Sequence, residues 1–195
     1  MTLSRRLIVQ ANGPWCERLK VLFDRMDQAY GCVAGAYGFH CRGCEDNCCY
    51  SRFYHHTLLE YAYLHQGMGT LDHGTRETIL QKAADVVAQS NSADKHGHDL
   101  KIMCPLNAQG RCLLYTFRPM VCRLHGLDHE LCKPGQAPVK SIGCDLFRKQ
   151  TEQMMYIPFD RTPFYKDMAQ LESEFRLKTG IMDRMKYTIA EMLLL

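Results

Sequence analysis

Cys41-Arg42-Gly43-Cys44-Glu45-Asp46-Asn47-Cys48-Cys49 puts four thiols into nine residues, a density that neither core packing nor turn chemistry demands. It reads as a metal-binding knot. Two later stretches carry the same theme: Cys104-Pro105-Leu106 with Gly110-Arg111-Cys112, and Arg118-Pro119-Met120-Val121-Cys122-Arg123, followed by Cys132 and Cys144. The chain is expected to be one domain over residues 1–195, mostly α: a compact helical domain whose metal-binding region, about 41–144, is cysteine-rich and built of loops and a short hairpin. Flanking helices are expected over 14–30 and 162–195.

Composition narrows the function. With 46% hydrophobic residues in 195, one well-buried core is affordable. Twenty-four basic against 21 acidic residues leave a net charge of +3, so no electrostatic case arises for nucleic acid or an anionic membrane. The first twelve residues are too short of apolar positions for a signal segment, and no stretch approaches a membrane span. The expectation is a cytoplasmic protein with no nucleic-acid and no membrane partner. In a reducing compartment, eleven cysteines, an odd number clustered as Cys-x2-Cys and Cys-Cys, favour metal over cystines.

Outward from the knot, helical spacing of Trp15, Leu19, Leu22, Phe23, Met26 and Tyr30 predicts an amphipathic helix opened by Pro14 and broken by Gly31, Gly35 and Gly38. Tyr50 to Gln66 reads as a helix descending from the knot. Asp72 is expected to cap the next, with Thr75, Ile79, Leu80, Ala83, Val86 and Val87 inward, ending near Ser90–Ser92. Cys104 to Tyr115 reads as a hairpin turning over Asn107–Gly110, with Cys104 across from Cys112. Pro119 should open a helical turn carrying Cys122 and closed by Gly126. A loop over Lys133–Pro138 is followed by a helix from Cys144 using Leu146, Phe147, Met154 and Met155. Thr162-Pro163 opens a helix through about Lys178, and Ile181 to Leu195 continues as a last helix after Gly180. The chain between Asn91 and Cys144 reads as having little core of its own. His96 and His98 read as solvated loop residues, Cys16 as a small core residue, and Arg118 and Arg123 as side chains that hydrogen-bond around the thiols.

Thiolates select zinc, copper(I) and iron–sulfur clusters. Cys41-x2-Cys44 is a common first hook for either zinc or a cluster, and the spacing alone does not choose between them. The combination Cys41-x2-Cys44-x3-Cys48-Cys49, Cys104-Pro-Leu, Gly110-Arg-Cys112-x2-Tyr115 and Arg118-Pro-x2-Cys122-Arg closely resembles the YkgJ-type cysteine-cluster proteins, the zinc- or iron-chelating domain family. The resemblance spans about Cys41 to Cys144. It implies an iron–sulfur cluster or zinc as cofactor, with ligands among Cys41, Cys44, Cys48, Cys49, Cys104, Cys112 and Cys122, plus Cys132 or Cys144. The related flagellin lysine N-methylases imply an alternative, a metal-dependent protein-modifying or redox enzyme acting on a protein substrate. Neither an S-adenosylmethionine signature nor the radical-enzyme Cys-x3-Cys-x2-Cys pattern is present. A metal storage or delivery protein with a protein partner is the third reading.

Overall fold

Pro14 at the first turn opens α1 (Pro14–Ala36), whose buried stripe is Cys16, Leu19, Leu22, Phe23, Met26 and Ala34. The architecture is that of a computed structural model, which describes residues 13–41, 48–97, 100–133 and 135–195, and of Cys48 the backbone alone. The helix does not break at Gly31 and Gly35. Nothing lies within 4 Å of the position a Cβ would take at either. Each glycine therefore costs only its helix propensity, about 1 kcal/mol, which the burial of Ala34 and the packing of Tyr30 and Val33 on the core offset. The break comes at Gly38, with φ 61°. Its N–H donates to Gly35 O (2.9 Å), while the Phe39 N–H reaches Ala34 O (2.8 Å), closing the helix with a left-handed glycine and burying Phe39.

The helix expected from Tyr50 starts later. Residues 48–50 form a single 3-10 turn, and α2 is Leu58–Gly69. His55 exchanges two backbone hydrogen bonds with Tyr187 (2.8 and 3.1 Å), which holds the approach extended. Thr57 then caps the helix, its Oγ1 accepting from Glu60 N, and the Glu172 carboxylate takes the Leu58 and Leu59 N–H groups (2.9 and 3.2 Å). From Leu58 to Leu64 every residue of α2 is buried; it is the central element, with no apolar stripe to read.

Asp72 caps α3 (His73–Lys95) as expected, accepting from Thr75 N at 2.9 Å. The helix continues past Ser90–Ser92 to Lys95, and of the expected inward face Ile79 and Ala83 are buried while Leu80 is exposed. His96 closes it by donating from Nδ1 to Ser92 O (2.7 Å). Strands β1 (Asn107–Ala108) and β2 (Arg111–Cys112) pair antiparallel, a 3-10 turn spans Tyr115–Phe117, and α4 (Met120–Leu124) follows. The sequence pattern missed a second antiparallel pair, β3 (His129–Leu131) with β4 (Val139–Ser141), around the expected 133–138 loop. Its strands are too short, and too little buried, to show alternation.

Cys144 caps α5 (Asp145–Thr151). Met154 and Met155 lie beyond it and are exposed, Met155 by 89%, against the expected apolar contact. The predicted Thr162 helix is α6 (Thr162–Thr179), closed by Gly180 at φ 71°. The last helix is shorter than expected. Residues 181–188 form no helix, with Tyr187 in a single bridge to His55, and only α7 (Ile189–Leu194) is helical, begun by a Thr188–Glu191 capping box. His56 Nδ1 donates to Met185 O (3.2 Å) and His65 Nε2 to Met192 O (2.9 Å), seating this segment on α2 while α7 packs along α3.

The molecule is mostly helical. Helix α1 packs against α2, α4 and α6. One expectation about packing is overturned: the stretch from 91 to 144 buries Leu106, Leu114, Met120, Leu124 and Leu127 in the same core. No helix among the described residues is long and apolar enough to cross a membrane.

Candidate metal centre

The β1–β2 turn is built by Gln109 at φ 52° and Gly110 at φ 81°, the paired positive φ values of a two-residue type I′ hairpin. This register sets Asn107, not Cys104, opposite Cys112. The next pair outward is hydrogen-bonded, Leu113 N–H to Leu106 O at 2.9 Å. Asn107 and Cys112 therefore form a non-hydrogen-bonded pair, the kind whose side chains stand closest on one face. Cys104 enters from the side: its carbonyl accepts from Asn107 N (2.9 Å), and its N–H donates to Cys49 O (2.8 Å). One hairpin thus ties Cys104 and Cys112 to the turn that carries Cys49.

Cys122 is held on α4 by two anchors. The Met120 N–H, free because it lies in the first turn, donates to Glu60 Oε1 at 2.8 Å. Arg123 donates to Asp27 Oδ2 (2.5 Å), to Arg118 O (2.8 Å) and to Thr116 O, with its guanidinium 4.2 Å from the Phe23 ring centre. Arg123 therefore joins the chain before α4 to α1. Arg118 donates to Tyr115 O (2.8 Å) and stacks 3.5 Å from the Tyr115 ring centre; Tyr115 is 63% exposed. Glu60 is the structural residue the sequence reading missed, although Thr57-x-x-Glu60 is a capping-box pattern. Burial pushes its carboxyl up, opposed by the hydrogen bonds from Thr57 and Met120 and by Arg123.

Cys49, Cys104, Cys112 and Cys122 share an electrostatic neighbourhood. Burial pushes the Cys122 thiol up first, and negative charge on Cys104, Cys112 and Cys49 pushes it further, against Arg118. Cys104 is raised to about 12 by burial and, less, by Cys49 and Cys112, against a hydrogen bond from the Leu106 backbone. Burial and Cys49 raise Cys112, while a hydrogen bond from the Leu114 backbone and the Arg118 charge lower it. All four cysteines are half-buried. Among the described residues, no group of three or more His, Cys, Asp or Glu side chains is arranged as around a metal ion.

The other expected ligands divide. Cys44 and the Cys48 side chain lie outside the described residues, and Cys41 is exposed. Cys41 and Cys144 both raise the Tyr30 hydroxyl, after burial, so they flank a different residue from the four thiols above. Cys144 Sγ accepts from Phe147 N (3.4 Å) as the α5 cap, while its own N–H donates to Gly126 O (2.9 Å). Cys132 turns into its own loop, its thiol donating to Gln136 O at 3.1 Å. His125 packs against Phe53 with the rings tilted, centres 5.3 Å apart, and His98 lies outside the described residues. Cys16 is buried on α1 as expected. A cavity of about 390 Å³ opens beside α5, lined by Tyr37, Asp128, Lys140, Asp145, Arg148 and Tyr156 among others, and none of the four thiols lines it. Set against known proteins, the chain matches no family model, no curated protein and no solved structure.

Proposed function

We propose that this chain is a metal-binding protein of the cysteine-cluster type its sequence resembles, holding an iron–sulfur cluster or zinc through Cys49, Cys104, Cys112 and Cys122. The observation that supports it is that Cys49 raises the other three thiols, while Cys104 and Cys112 raise Cys122 as well; the thiols come from three segments, two of them tied by the Cys104–Cys49 hydrogen bond. Cys104, Cys112 and Cys122, raised by burial and by neighbouring thiols that include Cys49, gain little from this company as thiols. As thiolates around a soft cation they become a donor set for which zinc and iron–sulfur clusters are the natural occupants.

The donor chemistry fits the proposed group. Its binding displaces thiol protons and adds its free energy to the fold. Cys41, Cys44 and Cys48 remain candidates through the resemblance, as the segment leading into Cys49. Cys132 fits poorly because its thiol is already engaged within its own loop.

The test is elemental analysis of anaerobically purified protein, with sulfide assayed and a visible spectrum taken on the same sample. Iron with matching sulfide and brown absorption, or stoichiometric zinc without colour, is the expected result and names the occupant. Protein that carries neither, and takes up neither on reconstitution, overturns the proposal.

A further inference from the structure

Residues 185–194 are seated on the core by three histidines in and just before α2. His56 Nδ1 donates to Met185 O and His65 Nε2 to Met192 O, bonds that a protonated ring keeps. His55 differs. Its backbone exchanges two hydrogen bonds with Tyr187, while its ring is buried and neither ring nitrogen has a partner among the described residues. A buried polar group left this way calls for an explanation. Such an imidazole is tolerated only when neutral, because its cation would give up water and gain nothing in exchange. The surrounding charges offer no relief. His56, beside it in the chain, can only repel the proton. On the seated segment, Lys186 lies 5.0 Å from the Tyr54 ring centre and Glu191 is taken up by the Thr188 cap. Glu60 of α2 accepts from Thr57 and Met120, Glu172 of α6 from Leu58 and Leu59, and Arg52 is paired with Asp94 of α3. No carboxylate among the described residues offsets burial at His55.

We propose that His55 is an acid-sensitive latch: protonation of its ring releases residues 185–194 from α2 and α3 while the rest of the helical core stays folded. Helices α1, α2, α4 and α6 pack on one another without this segment. Helix α3 packs mainly along α7, so release takes away its chief partner and bares Met185, Met192 and Leu193, all buried when the segment is seated. The ring titrates near 6.5 when free and is pulled down to about 4 when seated, mainly by burial. Seating therefore favours the neutral ring, and its contribution is fully present above pH 6.5 and falls away toward pH 4. The opening constant should rise about twentyfold from pH 7 to pH 5. His65, also lowered by burial, acts in the same direction and is offset in part by its bond to Met192 O.

Amide hydrogen exchange of the full chain, corrected for the intrinsic pH dependence of exchange, tests the latch. The Tyr187 and Met192 N–H groups, bonded to His55 O and Thr188 O, should be less protected than those of Leu22 and Phe23 on α1, because the segment opens by itself. Their protection should fall about twentyfold from pH 7 to pH 5, and His55→Phe, which takes no proton, should remove most of that fall. Protection at Tyr187 and Met192 equal to that on α1 means that they exchange only by global unfolding, and overturns the proposal. So does protection that ignores pH, or that falls as far in His55→Phe as in wild type. Should His55→Phe not fold, NMR titration of the wild-type ring decides. A ring that takes its proton only as Tyr187 and Met192 lose protection supports the latch; one that takes it while both stay protected overturns it.

Discussion

The stretches 104–124 and 125–144 are similar in length and each carries cysteines that the sequence marks as ligands, yet they use them in opposite ways. In the first, a two-residue hairpin and a one-turn helix gather Cys104, Cys112 and Cys122 near Cys49, so that each of the three is raised by at least one neighbouring thiol. In the second, the thiols serve the local backbone: Cys132 donates within its loop and Cys144 caps α5. Local backbone hydrogen bonds do not separate the two groups, since Cys104 and Cys112 take them from Leu106 and Leu114; what separates them is the other thiols within electrostatic reach, and spacing alone does not supply those.

The sharpest way to break this comparison is Cys122→Ser, which should lower metal affinity by at least a hundredfold in chelator competition. Retention of full metal would dissolve the distinction. Next comes Gly143→Ala. An added methyl there would drive into the Gly126 carbonyl and the Asp128 N–H, both backbone groups. The expected loss is about 3 kcal/mol in denaturant unfolding, with metal stoichiometry unchanged, since this region is structural.

Acid should act on the frame as well. His55 is 2% exposed, with both ring nitrogens unpartnered among the described residues. Burial, and to a lesser degree His56, lower its pKa from 6.5 to about 4. The folded state thus favours neutral His55. This contribution is fully present above pH 6.5 and is lost as pH falls toward 4, amounting to on the order of 3 kcal/mol. Equilibrium unfolding of metal-free protein from pH 7 to 4 measures it, and His55→Phe should flatten the slope across that window.

A smaller effect is expected from Glu60→Ala, which leaves the Met120 N–H without its acceptor. About 1–3 kcal/mol of stability should go, with Glu60→Gln, which keeps an acceptor oxygen, recovering most of it. Metal affinity should weaken alongside in the alanine variant, because α4 carries Cys122. The smallest effect is Cys132→Ser: a hydroxyl can still donate to Gln136 O, so stability should change by less than about 0.5 kcal/mol and metal content not at all. A loss of metal there would return Cys132 to the ligand set.

Much of the frame was legible in the sequence because its signals are local. Pro14, Asp72, Thr162-Pro163 and Gly180 mark helix ends through backbone chemistry that needs no partner. The hairpin at 107–112 follows from Gly110 and turn-forming neighbours. Two misplaced helix starts share one cause: the chain before Leu58 and before Ile189 is held outside a helix by the bridge between His55 and Tyr187, a pairing across the chain that periodicity cannot report.

The candidate site divides along the same line. Sequence alone determined which residues bring soft donors, since thiol chemistry belongs to the side chain. Tertiary structure decided which of them meet, by one residue pairing in a hairpin, a buried carboxylate at the start of α4, and an arginine joining that helix to α1. The last two are long-range contacts whose geometry depends on the whole core, and no spacing within the cysteine motifs encodes them.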